Sequence, residues 1–196
     1  WESSLTGLEQ CSNWQYADLE IHVTADVIYG LWHYYRATGD LEFLLQHGLE
    51  MMVETARYWV SRGDWKGDEV HLMGVMGPDE YLPFTNNNAF TNYLVKFALK
   101  TTIHILKISD KESQSIAQKL GVTRAEIDSF QEMAQKLVIP MEPDAKFIWQ
   151  CDDFDEFLDL DFSKIWIDRR RPFGHFISQE RNYRSKALKQ ADVVAL

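Results

Sequence analysis

The chain has 196 residues, enough for one domain with its own core, and its 45% hydrophobic and 26% charged residues exclude the disordered and fibrous classes. A formal net charge of −10 leaves no electrostatic footprint for nucleic acid or an anionic membrane surface. The basic stretches Arg169–Arg171 and Arg181–Lys189 are local, and such runs read first as solvated faces. No apolar run reaches the length of a membrane span, and no signal-peptide pattern opens the chain. Cys11 and Cys151 have neither metal-ligand spacing nor a disulfide framework, so no metal is expected and a reducing cytoplasm fits. The start at Trp1 and the stop inside an apolar run at Leu196 read as cuts through a longer protein. Aromatic residues make up 13% of the chain, seven of them Trp. Aromatic faces stack on sugar rings, although packing volume is the commoner use of any single Trp.

In chain order, the first patterned region is residues 25–63. Val27, Ile28, Leu31, Trp32 and Tyr35 recur at helical spacing, and Gly39-Asp40 breaks the pattern. Leu45, Leu49, Met52, Val53, Ala56, Trp59 and Val60 form a second stripe that ends at Gly63. Two amphipathic helices joined at Thr38-Gly39-Asp40 predict an antiparallel helical hairpin. Residues 64–88 are rich in Gly, Asp, Pro and Asn, show no convincing strand alternation and are expected to be a long loop. Helical spacing returns at Thr91, with Leu94, Val95, Ala98, Leu99 and Ile105 as apolar positions. A further helix is expected over 111–120, stopped by Gly121, and another over 124–137, opened by the capping box Thr123-x-x-Glu126. The stretch 147–184 is aromatic and acidic with weak periodicity, and 186–196 reads as the start of a helix. The pattern gives an all-α fold class. Helical hairpins separated by long polar loops suggest an α/α barrel with its site on the loops, or an α-solenoid, although no fixed repeat supports the solenoid.

The loop Met76-Gly77-Pro78-Asp79-Glu80-Tyr81 is the strongest chemical candidate. Gly and Pro fix a tight turn carrying two adjacent carboxylates beside aromatic residues. Cleavage of a glycosidic bond needs a carboxylic acid that holds a proton near neutral pH, and an apolar wall or a neighbouring carboxylate favours that state. Glu80, with Tyr81 and Asp79 beside it, meets the need; the plain alternative is a capped turn with two solvated acids. Asn86-Asn87-Asn88 could bind sugar hydroxyls, but αL turns and capping of the next helix are the commoner use of such residues. His22 reads first as a loop anchor, with a part in a sugar subsite as the alternative. His175 carries no interpretable motif.

Several segments, in order along the chain, resemble glycoside hydrolase family 65, which comprises maltose, trehalose, kojibiose and nigerose phosphorylases and hydrolytic relatives. They are residues 20–26 (Glu-Ile-His-Val-Thr-Ala-Asp), 34–40 (Tyr-Tyr-Arg-Ala-Thr-Gly-Asp), 54–59 (Glu-Thr-Ala-Arg-Tyr-Trp), 77–81 (Gly-Pro-Asp-Glu-Tyr), 87–92 (Asn-Asn-Ala-Phe-Thr-Asn) and 189–194 (Lys-Gln-Ala-Asp-Val-Val). The resemblance implies an (α/α) barrel of six helical hairpins, of which residues 1–196 would be a central to C-terminal part. It carries the general acid onto Glu80 and contacts to the glucosyl unit onto Lys189 and Gln190. The segment Cys11–Leu19, with Trp14 and Tyr16, looks like the loop that shapes the subsite for the leaving sugar, and His22 is a further candidate there. An N-terminal β-sandwich, an early Trp-Asp pair at the glucosyl subsite and a later phosphate site are implied outside the chain.

The implied reaction is inverting phosphorolysis of an α-linked glucose disaccharide to β-glucose 1-phosphate and a free sugar. Phosphate serves as co-substrate, with no metal or organic cofactor, and the full-length protein is expected to be a homodimer. Inverting hydrolysis needs a second carboxylate to activate water, whereas phosphate is already an anion, so one carboxylic acid suffices. The competing expectations are a trehalase-like hydrolase of the same family and an inactive helical or sugar-binding module. The fragment alone is expected to be inactive.

Overall fold

The computed structural model describes residues 16–108, 111–144 and 146–196. The described residues divide into two compact units. One comprises His22–Leu72 with Thr91–Ile139; the other comprises Met73–Phe90, Pro140–Leu196 and the described part of Trp1–Ile21.

The first unit is helical. Helix α1 (Val23–Thr38) ends where Gly39 takes a left-handed φ of 72° and returns its N–H to the Tyr35 carbonyl. The Asp40 side chain then accepts from the Phe43 N–H and starts α2 (Leu41–Phe43), which runs through a π-helical turn (Leu44–Gly48) into α3 (Leu49–Arg62). This is the expected hairpin, with the connection at the expected residues. After Gly63 the chain forms a short antiparallel pair, β1 (Asp64–Lys66) and β2 (Glu69–His71), turning at Gly67 with φ 63°. Three residues per strand are too few to show alternation, so the sequence reads only as loop here. Gly63 is required by packing, because a Cβ there would lie 2.8 Å from Val70 Cγ1.

Helix α4 (Ala89–Lys107) is followed by α5 (Lys111–Lys119). α5 closes in a Schellman arrangement, with Gly121 at φ 67°, its N–H on the Gln118 carbonyl and the Val122 N–H on the Ala117 carbonyl. Helix α6 (Arg124–Lys136) carries the complete capping box of Thr123 and Glu126. Helices α1, α3, α4 and α6 each bury apolar side chains, including Ile28, Leu49, Met52, Trp59, Leu99, Ile105, Phe130 and Met133, all at most 2% exposed. Arg57 ties α3 to the start of α6: its guanidinium donates to both Glu126 carboxylate oxygens (2.6 and 3.2 Å), to Glu54 and to the Leu120 carbonyl. The hydrogen bond from Arg57 is the main reason the Glu126 carboxyl titrates below its usual range.

The second unit has little regular structure: α7 (Phe162–Ile165), α8 (Gln179–Asn182) and single 3₁₀ turns. Backbone bridges and buried polar side chains hold it instead. Val75 and Thr85 exchange both N–H···O bonds at 2.8 Å, and Leu158 pairs with Arg184 and Lys186. The asparagine triplet is structural. Asn86 accepts from the Gly74 N–H, Asn87 sits at φ 49° and donates to Asp152, and Asn88 donates to buried Asp192 at 2.9 Å. The expected helix over 186–196 is reduced to one 3₁₀ turn at Asp192–Ala195. The physical reason is that the N–H groups of Lys189 and Gln190 donate to the Asp79 carboxylate rather than to carbonyls one turn back. Among the described residues no helix is long and apolar enough to cross a membrane.

Candidate active site

The acid loop and the Lys189-Gln190 segment belong to the same unit, and Asp79 joins them. Its Oδ1 accepts from the backbone N–H groups of Tyr81 (3.1 Å), Lys189 (3.0 Å) and Gln190 (3.3 Å), and its Oδ2 accepts from Gln150 Nε2 at 2.8 Å. Asp79 is 1% exposed, so its carboxylate cannot reach a substrate and acts as an anchor for the two segments. Gly77, two residues earlier, admits no side chain: a Cβ would lie 2.2 Å from Asp192 Oδ2 and 2.4 Å from Asn88 Nδ2.

Glu80 points the other way. Its Oε1 accepts from Lys189 Nζ at 2.7 Å and from Gln190 Nε2 at 3.1 Å, and its backbone N–H donates to Gln190 Oε1 at 3.3 Å. Both polar ends of the Gln190 side chain are therefore spent on one residue. Oε2 has no hydrogen-bond partner among the described residues. The Glu80 side chain is 26% exposed and lines a pocket of about 250 Å³ with Tyr81, Gly174, Ile177, Gln179, Asn182, Tyr183 and Lys189. One carboxylate oxygen is thus fixed by two donors and the other is left open, the arrangement a proton donor needs in order to be aimed.

Of the residues singled out in the sequence, the structure brings together Glu80, Lys189 and Gln190. Tyr16 stands edge-on to the pocket-lining Tyr183, ring centroids 5.7 Å apart. Trp14 lies outside the described residues, as does most of the loop Cys11–Leu19. His22 belongs to the helical unit, where it is buried ahead of α1 with Nδ1 2.7 Å from Asp26 Oδ2. Sequence reasoning missed Gln150, Asn182 and Tyr183. They fall in the weakly periodic stretch or at its edge, and only the folded backbone returns them to Asp79 and Glu80.

Near the pocket, Arg169 stacks on Trp166 with its guanidinium carbon 4.4 Å from the ring centroid, and Arg170 pairs with Asp168, so two of the three arginines make local contacts. Cys151 is a buried free thiol, pushed up to about 12 chiefly by burial and further by Asp152, Asp192, Asp153 and Asp79. Among the described residues no His, Cys, Asp and Glu cluster could hold a metal ion.

The model of the glycosyl hydrolase family 65 central catalytic domain matches residues 1–196. A kojibiose phosphorylase of Halothermothrix orenii is 36% identical over 100% of this chain and 27% of its own length. One from Caldanaerobacter subterraneus subsp. tengcongensis is 33% identical over 100% of this chain and 28% of its own. An α,α-trehalose phosphorylase of Thermoanaerobacter brockii is 33% identical over 90% of this chain and 24% of its own length. A human-microbiome protein whose solved structure carries a provisional kojibiose phosphorylase assignment superposes with a TM-score of 0.86 at 30% identity, covering 96% of this chain and 28% of that one. The chain thus spans about a quarter of the length of the relatives it matches. Its helices are those of an (α/α)-barrel fold, in keeping with the all-α reading of the sequence. The chain belongs to glycosyl hydrolase family 65 and lies within that family's central catalytic domain.

Proposed function

We propose that the protein carrying this chain catalyses inverting phosphorolysis of an α-linked glucose disaccharide, giving β-glucose 1-phosphate and a free sugar, with Glu80 as the proton donor. The observation that carries this reading is the state of Glu80: it lines a pocket, its Oε1 is held by Lys189 and Gln190, and its Oε2 has no hydrogen-bond partner among the described residues. A phosphate oxygen attacks the anomeric carbon from the face opposite the leaving group. As the glycosidic C–O bond breaks, the proton on Glu80 Oε2 passes to the departing oxygen, and the carboxylate left behind regains a proton before the next turnover. A single carboxylic acid meets the chemistry because the attacking group is already an anion. Lys189, whose side chain is 46% exposed, has room to exchange its contact with Glu80 for one with a glucosyl hydroxyl.

The named activities of the similar proteins support the substrate class; they include kojibiose, trehalose and maltose phosphorylases. On this reading the chain is a central to C-terminal part of one barrel, and other segments supply the phosphate site and a β-sandwich. The test is to incubate the full-length protein with kojibiose, trehalose, maltose and nigerose, with and without phosphate. Release of glucose 1-phosphate that depends on phosphate is expected with at least one. Hydrolysis that proceeds equally without phosphate would contradict the proposal.

A further inference from the structure

Asn182 is held by its backbone on both sides. Its N–H donates to the Ser178 carbonyl at 3.0 Å, and its carbonyl accepts from the Ser185 N–H at 3.0 Å and the Ser185 hydroxyl at 2.9 Å. The residue is 5% exposed. Its side-chain amide nevertheless has no hydrogen-bond partner among the described residues, and Oδ1 is enclosed and unbonded. A buried amide left unpaired is destabilising, and such groups are uncommon in folded proteins. Among the described residues, no group in the surrounding packing pairs with it. The residue lines the same pocket as Glu80, Lys189 and Tyr183, and with Oδ1 enclosed the amide nitrogen is its accessible polar atom.

We propose that Asn182 is a sugar-binding residue, its amide pairing with a ring hydroxyl of the substrate held against Glu80. This rests on the reading of the Glu80 pocket as the site of glycoside cleavage. Oδ1 is enclosed, so the pairing is made by the amide nitrogen, which donates to a hydroxyl oxygen of the sugar. Tyr81 and Tyr183 supply the apolar faces that sugar rings stack on. An anion is a poorer match, because the pocket already presents the Glu80 carboxylate and its nearest cation, Lys189, is engaged by it. The hydroxyl belongs to the glucosyl ring or to the leaving sugar, and the test separates the two.

The experiment measures equilibrium binding to the full-length protein, without phosphate, of kojibiose, maltose, trehalose and methyl α-glucoside, for wild type and Asn182→Leu. The folded variant is expected to bind at least one disaccharide about 10-fold more weakly, and Asn182→Ala, which adds no bulk, to show the same loss. A loss shared by methyl α-glucoside places the hydroxyl on the glucosyl ring, and a loss confined to disaccharides places it on the leaving sugar. Unchanged affinity for every sugar in a folded Asn182→Leu protein overturns the inference alone, since binding does not depend on which group donates the proton. A wild type that binds none of these sugars overturns it together with the proposed function. If Asn182→Leu fails to fold, the smaller Asn182→Ala gives the same readings.

Discussion

Gln190 grips Glu80 twice, its amide nitrogen on Oε1 at 3.1 Å and its amide oxygen on the backbone N–H at 3.3 Å. A side chain that binds both the carboxyl group and the peptide of its partner fixes the position and the rotation of that carboxyl together. On the proposed reading of Glu80 as proton donor, Gln190 is a positioning residue for it, beyond the glucosyl contact that the family resemblance implies.

Removing that grip has a measurable signature. Gln190→Met keeps the length of the side chain and loses both bonds. Misplacing a reacting group by about 1 Å can cost on the order of 10²-fold, so turnover of the natural disaccharide should fall by about 10- to 100-fold. Turnover of α-glucosyl fluoride, which needs little protonation, should fall much less. Equal losses on both donors would mean that Gln190 serves only to bind sugar.

Asp79 should act through stability. Asp79→Ala strands three backbone N–H groups and the Gln150 amide, each buried donor costing on the order of 1–3 kcal/mol, so the melting temperature of the full-length protein should drop by several degrees. Asp79→Asn should be mild, because its oxygen still accepts from the three N–H groups and the Gln150 amide can turn over to accept from the new NH₂. An Asp79→Ala protein that melts with wild type would contradict the anchoring role.

The Cys151 thiol, 1% exposed and pushed up to about 12, should stay unmodified by iodoacetamide at pH 8 in the folded protein. In guanidinium it should alkylate readily. Peptide mapping by mass spectrometry distinguishes it from Cys11. Fast alkylation under native conditions would show that this segment opens far more often than its burial allows.

Much of the helical unit was legible because its signals are local. Gly39 and Asp40 mark one connection, Thr123 and Glu126 open α6, and Gly121 closes α5, each at the residue where the structure uses it. The second unit resisted reading because its order comes from contacts distant in sequence. Asp79 meets residues 71, 110 and 111 positions away, and those contacts turn residues 186–191 away from the helix their composition suggests. The Gly77–Tyr81 loop was legible as the strongest chemical candidate, and the structure brings its Glu80 to Lys189 and Gln190, the pair that the family resemblance singled out. What was not legible is how Asp79 holds the loop, since its burial and its bonds to Gln150, Lys189 and Gln190 arise only in the folded chain.

The most direct test of the account is the donor dependence of Glu80→Gln in the full-length protein. The substitution preserves size and most hydrogen bonding and removes the transferable proton. General acid assistance is worth about 10²–10⁴-fold, so phosphorolysis of the natural disaccharide should fall by at least that range while sugar affinity changes little. Phosphorolysis of α-glucosyl fluoride, whose leaving group needs little protonation, should retain most of its wild-type rate. A Glu80→Gln enzyme that turns over the disaccharide at near wild-type rates, or loses both donors equally, would contradict the assignment of Glu80 as the proton donor.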